Sequence, residues 1–189
     1  YLWWPDPLDP ERYAGVEREA NHLFHDTDWA LVGCPSFNGI WERACYLCGF
    51  TRMLEGLLLE PEFVHAVLGR ITHLCKLSLG RFLDLVGSYV QIIKMGDDLG
   101  TQNGPQMSPQ TYRQVIKPYH QELCRFIKER TDARIFLHTC GSVYRLLPDL
   151  IDAGIEILNP VQVSARDMDT QRLKAEFGDR LTFMGAIDT

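Results

Sequence analysis

No stretch of this 189-residue chain approaches the roughly 20 consecutive apolar residues that a bilayer-spanning helix needs. The amino-terminal Tyr1-Leu2-Trp3-Trp4-Pro5 has no basic region followed by an apolar core, so it does not read as a secretory signal. Basic clusters are missing as well. Lys and Arg number 19 against 25 Asp and Glu, for a formal net charge of −6. That balance argues against a nucleic-acid surface, whose affinity comes from neutralising phosphates. No G-x-G-x-x-G follows any predicted strand, which leaves a Rossmann-type nucleotide site without support. The six cysteines, at 34, 45, 48, 75, 124 and 140, show no disulfide-framework spacing. Reduced thiols in a cytoplasmic protein are the expectation. Cys45 and Cys48 form a C-x-x-C, but inside a helical pattern rather than at a helix start after a strand, which argues against a redox pair. An initiator Met is also lacking, and Gly185-Ala186-Ile187-Asp188-Thr189 stops just beyond a predicted strand. Both ends read as cut, and a piece of a longer polypeptide is expected.

What is present is a globular composition, 46% hydrophobic and 23% charged. Apolar periodicity predicts helices over 10–25, 40–59, 61–85, 108–131, 143–153 and 170–177. Pro61 suits a helix N1 position, Ser108 and Pro109 suit N-cap and N1, and Gly154 and Gly178 suit helix ends. Short apolar runs predict strands over 29–33, 89–95, 134–137, 156–159 and 181–184. Strands alternating with amphipathic helices imply a parallel sheet. Five strands with polar or glycine-rich ends fit either an open doubly wound sheet or most of a (β/α)₈ barrel. A complete barrel needs about 250 residues, so the fold expected over residues 1–189 is an incomplete barrel segment of about five strands. Its open sheet edges favour self-association, with a homodimer as one outcome.

The chemistry-bearing residues gather at the strand ends. His138 and Cys140 close the strand at 134–137, and side chains two apart on extended backbone point to the same face. An imidazole and a thiolate can there converge on one metal ion, and that donor pair favours zinc. A single His-x-Cys is a short motif, but the carboxyl ends of parallel strands are where α/β enzymes place their chemistry. Asp97 and Asp98 follow the strand at 89–95. One reading makes them a solvated turn in which one carboxylate caps the next segment; the other has them bind substrate or move a proton. Thr101, Gln102 and Asn103 extend this polar rim. Asn159 and Gln162 follow the fourth strand, where an amide either orients a ligand or satisfies loop backbone. Asp188 follows the fifth. Their shared placement predicts an active-site mouth. His22, His25, His65, His73 and His120 lie on or beside helices and read as surface or packing residues. Trp3, Trp4 and Trp41 read as core or interface packing, with a pocket wall as the alternative.

Five motifs together resemble the uroporphyrinogen decarboxylase superfamily, and within it the branch of decarboxylase-like proteins and corrinoid methyltransferases. They are Gly96-Asp97-Asp98-Leu99-Gly100-Thr101-Gln102; Ser108-Pro109 with Ile116-Lys117-Pro118-Tyr119; His138-Thr139-Cys140-Gly141-Ser142; the run from Gly154 to Gln162; and Gly185-Ala186-Ile187-Asp188. The resemblance covers nearly the whole chain and implies a (β/α)₈ barrel whose first strands and last turn lie outside it. The methyltransferase branch resembles cobalamin-independent methionine synthase in taking a His-x-Cys pair as zinc ligands, completed by a Glu about one βα unit later and a distant Cys. His138 and Cys140 match the pair, Gln162 stands at the Glu position, and the distant Cys would lie beyond Thr189. True decarboxylases carry an Arg-rich amino-terminal motif, a catalytic Asp after the first strand and a Ser within the stretch matching 96–100. Here Asp98 stands at the Ser position. The resemblance thus implies zinc-dependent methyl transfer between a corrinoid and a thiol. Zinc would sit on His138 and Cys140, Asp97 and Asp98 would position substrate, and Asn159, Gln162 and Asp188 would line the cofactor side. A corrinoid protein is the implied partner. The alternatives are a metal-free uroporphyrinogen decarboxylase of porphyrin biosynthesis and a non-catalytic barrel that binds a tetrapyrrole or corrinoid.

Overall fold

The computed structural model describes residues 5–35 and 39–187, so Trp3, Trp4 and Asp188 lie outside the described residues. After a 3-10 turn at Pro10–Tyr13 come α1 (Val16–Asp26), β1 (Val32–Gly33), α2 (Trp41–Cys48), α3 (Phe50–Leu59) and α4 (Pro61–Val86). Next are β2 (Ile92–Gly96), the two-residue strands β3 (Gly100–Thr101) and β4 (Gly104–Pro105), and α5 (Pro109–Thr111). A wide π turn at Tyr112–Ile116 leads into α6 (Lys117–Lys128), followed by β5 (Arg134–His138). A 3-10 turn at Tyr144–Leu146 then opens α7 (Leu147–Ala153), and β6 (Ile157–Asn159), α8 (Thr170–Phe177) and β7 (Thr182–Phe183) complete the order.

Five strands form one parallel sheet in the order β1-β2-β5-β6-β7, each pair joined by helical crossovers. This is the succession of neighbouring strands in a (β/α)₈ barrel, with five of them carried by this chain. Ile93, Met95, Ile135, Leu137 and Leu158 are buried on these strands. They pack in one core with Leu68, Ile71, Leu79 and Leu83 of α4 and Leu123 and Ile127 of α6. The register matters most at the carboxyl edge, where Gly96 pairs with His138 and His138 with Asn159. Three strand ends therefore finish in one row, and the loops leaving them share one rim. No helix among the described residues is long and apolar enough to cross a membrane.

Several elements differ from the expectation. The helix expected over 40–59 breaks at Gly49, whose φ of +91° suits glycine and ends α2 before α3 begins. The strand expected over 29–33 shortens to Val32–Gly33, leaving Trp29 exposed. The strand expected from residue 89 starts at Ile92, because the N–H groups of Tyr89 and Val90 turn back to the Val86 carbonyl. The π turn at Tyr112–Ile116 lies just before Pro118, which has no N–H to continue the ladder and whose ring crowds the preceding turn. Trp41 is fully buried, and its indole N–H donates to Gln106 Oε1 at 2.8 Å.

On the outer layer, buried Asp149 of α7 accepts two hydrogen bonds from Arg113 at 2.9 Å and one from buried Lys117 at 2.8 Å. The Arg113 guanidinium holds the Asp149 carboxyl below its ordinary value against the upward push of burial, and Lys117 adds to the effect. A carboxyl depressed in the folded state stabilises the fold above its unfolded pKa, and that contribution disappears as pH falls through the folded value. Asp149→Ala leaves Lys117 and Arg113 short of their shared partner, with Asp152 still 2.7 Å from Lys117. The expected loss is about 3 kcal/mol at neutral pH by urea denaturation. The gap from the parent protein should narrow progressively as pH falls below about 4, the ordinary Asp value, and through the lower folded one.

Candidate metal centre

His138 is the last residue of β5 and Cys140 lies two residues further on, so both side chains leave the rim on one side. Cys140 Sγ is 3.6 Å from His138 Nε2. Asp98, from the loop after the neighbouring β2, joins them. One carboxylate oxygen of Asp98, a ring nitrogen of His138 and the Cys140 sulfur all lie within 4.8 Å of one another. Asp98 Oδ1 also accepts the Cys140 N–H at 2.8 Å.

The hydrogen-bond network assigns the His138 tautomer. Asn159 donates from Nδ2 to the Met184 carbonyl at 2.9 Å, which turns its Oδ1 toward His138. Nδ1–H of His138 donates to that oxygen at 2.6 Å. Nε2 therefore carries the lone pair, and it faces Cys140. A metal-ligating histidine is held in this way, with its second nitrogen anchored behind it. The row Gly96, His138, Asn159 supplies the reason: the register sets the anchoring amide beside the imidazole.

Cys140 differs from the three buried cysteines. Burial pushes the thiols of Cys45, Cys75 and Cys124 up to about 12, so these remain protonated packing groups. Cys140 is only half-buried; its thiol is also raised, first by burial and then by the adjacent Asp98 charge. A thiol, an imidazole lone pair and a carboxylate in one cluster are mutually unfavourable as two anions and mutually favourable around a divalent cation. This sulfur, nitrogen and oxygen donor set fits zinc.

The surrounding loops are braced against one another. Gly141, at φ +79°, and Gly100 face each other so closely that a Cβ on either would meet the other's backbone at under 3 Å. Ser142 N–H donates to the Thr101 carbonyl at 2.8 Å, and Leu99 N–H to Thr139 Oγ1 at 3.0 Å. Gln162 Oε1 accepts the Gly141 N–H at 2.9 Å, while Gln162 Nε2 donates to Gln102 Oε1 at 3.1 Å. Gln102 in turn donates to the Ser164 carbonyl. Gln162 thus holds the cysteine loop with its carbonyl oxygen, and Asn159 stands behind the imidazole.

The two aspartates separate. Asp97 is buried and turned away from the rim. Its Oδ2 accepts the N–H groups of Ile40 at 3.1 Å and Trp41 at 2.9 Å, and its Oδ1 that of Glu42 at 2.6 Å. His120 Nε2 donates to Oδ2 at 2.9 Å. Asp97 caps the start of α2, and of the two carboxylates only Asp98 stands beside His138 and Cys140. His120, read from sequence as packing or surface, is a buried hydrogen-bonding partner in the layer behind the rim. Nothing local signalled His120. Beside Asp98 opens a cavity of about 240 Å³ walled by Trp41, Glu42, Cys45, Tyr46, Phe50 and Gln106.

Comparison with known proteins agrees with this geometry at the level of fold and family. A solved methyltransferase from Methanosarcina mazei superposes with a TM-score of 0.71 at 19% identity, covering 93% of this chain and 48% of that one. The chain spans about half the length of that relative, and the likeness speaks for the shared barrel fold. No curated protein matches the chain. The model for the family described as uroporphyrinogen decarboxylase (URO-D) matches residues 30–189, a span that takes in all five strands and every rim loop described above. On that match, the chain belongs to the uroporphyrinogen decarboxylase (URO-D) family.

Proposed function

We propose that this chain carries the metal-binding part of a zinc-dependent methyltransferase that moves a methyl group between a corrinoid and a thiol. The observation that carries the reading is the cluster of Asp98, His138 and Cys140 with the imidazole lone pair already aimed at the sulfur. His138 Nε2, Cys140 Sγ and an Asp98 oxygen would hold zinc. Bound there, zinc supplies the Lewis acidity that keeps an incoming thiol as its thiolate at neutral pH. Asn159 fixes the imidazole, Gln162 fixes the cysteine loop, and the cavity beside Asp98 receives substrate. The name of the structural relative, a methyltransferase, supports the same choice. A corrinoid protein as methyl-carrying partner and a homodimeric cytoplasmic enzyme complete the proposal, with Asp188 on the cofactor side.

The decarboxylase reading requires basic side chains to neutralise an acidic tetrapyrrole. Among the described residues, the wall of the cavity carries Glu42 and Asp98 and no Lys or Arg. Methylcobalamin demethylation by the full-length protein, followed by its visible absorbance, tests the choice. The expected result is thiol-dependent turnover that a chelator abolishes and added zinc restores. Undiminished turnover after chelation, or conversion of uroporphyrinogen to coproporphyrinogen by the metal-free protein, would overturn it.

A further inference from the structure

Behind the rim lies a buried chain of polar groups that the proposed chemistry does not use. Asp97, His120 and Tyr112 are each at most 1% exposed. His120, on α6, donates Nε2–H to Asp97, which leaves Nδ1 to accept the Tyr112 hydroxyl at 2.9 Å. Burial keeps that hydroxyl protonated. Every polar atom of the three side chains is partnered, and the chain links α6, the loop after β2 and the start of α2.

We propose that His120 is a positioning residue for the metal centre: by clamping Asp97 to α2, it turns the adjoining Asp98 toward Cys140. The proposal rests on the reading of Asp98, His138 and Cys140 as metal ligands. Asp97 N–H donates to the His138 carbonyl at 2.9 Å, and Leu99 N–H is tied to Thr139, so residues 97–99 lie along 138–140. Within that short span the two side chains part, Asp97 to the start of α2 and Asp98 to the Cys140 N–H. Anchoring one therefore sets the direction of the other. The anchor is strong, because a carboxylate accepting four donors in a buried layer has no other low-energy orientation. Without His120, Oδ2 loses its side-chain donor, and α6 loses its polar tie to the loop that presents Asp98.

Cobalt(II) titration of the full-length protein, read by its ligand-field and thiolate charge-transfer bands, tests this. His120→Gln sets an amide N–H near the Nε2 position and should bind cobalt within about threefold of the parent. His120→Asn places its amide near Nδ1 instead, and should bind about tenfold more weakly or worse. The effect should also depend on Asp98: added to Asp98→Asn, the His120→Asn change should weaken binding by no more than about twofold. Tyr112→Phe is the milder variant should His120→Asn fail to fold. It should weaken cobalt by about threefold in the parent and not in Asp98→Asn. Cobalt binding unchanged in His120→Asn and Tyr112→Phe, or losses that multiply with that of Asp98→Asn, would overturn the positioning role while leaving the metal centre standing. A parent protein that binds no cobalt would overturn both.

Discussion

Cys140→Ser empties the metal centre. The full-length protein, purified under reducing conditions, should hold about one zinc per chain, and the serine variant should hold almost none. Serine keeps the size and the backbone N–H to Asp98, but its hydroxyl does not ionise near neutral pH and offers zinc no anionic sulfur. With one of three described donors gone, the remaining imidazole and carboxylate make an oxygen and nitrogen pair of ordinary surface affinity. Cys45→Ser serves as the control, because that thiol is buried against the core and pushed up to about 12. Its replacement should leave zinc content unchanged. Stability should move little in Cys140→Ser, within about 1 kcal/mol, since the residue is half-buried at a loop start. Zinc retained by the serine variant, or absent from the parent, would remove the foundation of the proposed chemistry.

The residues of the candidate site were legible in sequence for different reasons. His138 and Cys140 could be paired from the two-residue period of extended backbone, and their place at a strand end followed from the alternation of strands and helices. Asn159 could be put on the same rim, but its service to His138 depends on a register between β5 and β6 that no local pattern encodes. Gln162 was found through the resemblance, at a position expected to hold a ligand. The structure has it bracing Gly141, a contact across 21 residues. Gly49 leaves no mark in the pattern because apolar spacing continues on both sides of it, while the break follows from backbone geometry that spacing does not record. The β3–β4 hairpin is two residues a side, too short for any periodicity to show. His120 is the extreme case. Its partner lies 23 residues away and its exposure is decided wholly by how α6 packs, so a helical histidine of that kind is indistinguishable from a surface one until the fold is known.

Asp97→Asn and Asp98→Asn, the same change in adjacent residues, should fail in opposite ways. At position 97 the carboxylate accepts three backbone N–H groups at the start of α2 and the His120 N–H. An asparagine amide offers one oxygen and turns an NH₂ toward the remaining donors. With its oxygen at the Oδ2 place the Glu42 N–H is left without an acceptor, with its oxygen at the Oδ1 place the other three donors are, and in either case the charge that favours the helix amino terminus is gone. Hydrogen bonds to a charged group contribute about 1.5–3 kcal/mol each, so the expected destabilisation is about 3–5 kcal/mol. Asp98 is half-buried, and asparagine there can still accept the Cys140 N–H through its oxygen. Its stability should fall by less than about 1 kcal/mol. Metal affinity responds the other way: Asp98→Asn replaces an anionic ligand with a neutral one and should weaken zinc by about 10–100-fold. Urea denaturation of the metal-free proteins and zinc competition with a chromophoric chelator separate the two effects. Equal destabilisation by both changes would mean that the carboxylates share one structural task. Unchanged zinc affinity in Asp98→Asn would move the third ligand elsewhere on the rim. The division of labour rests on the partners each carboxylate meets: Asp97 holds the start of α2, while Asp98 stands beside His138 and Cys140 at the rim.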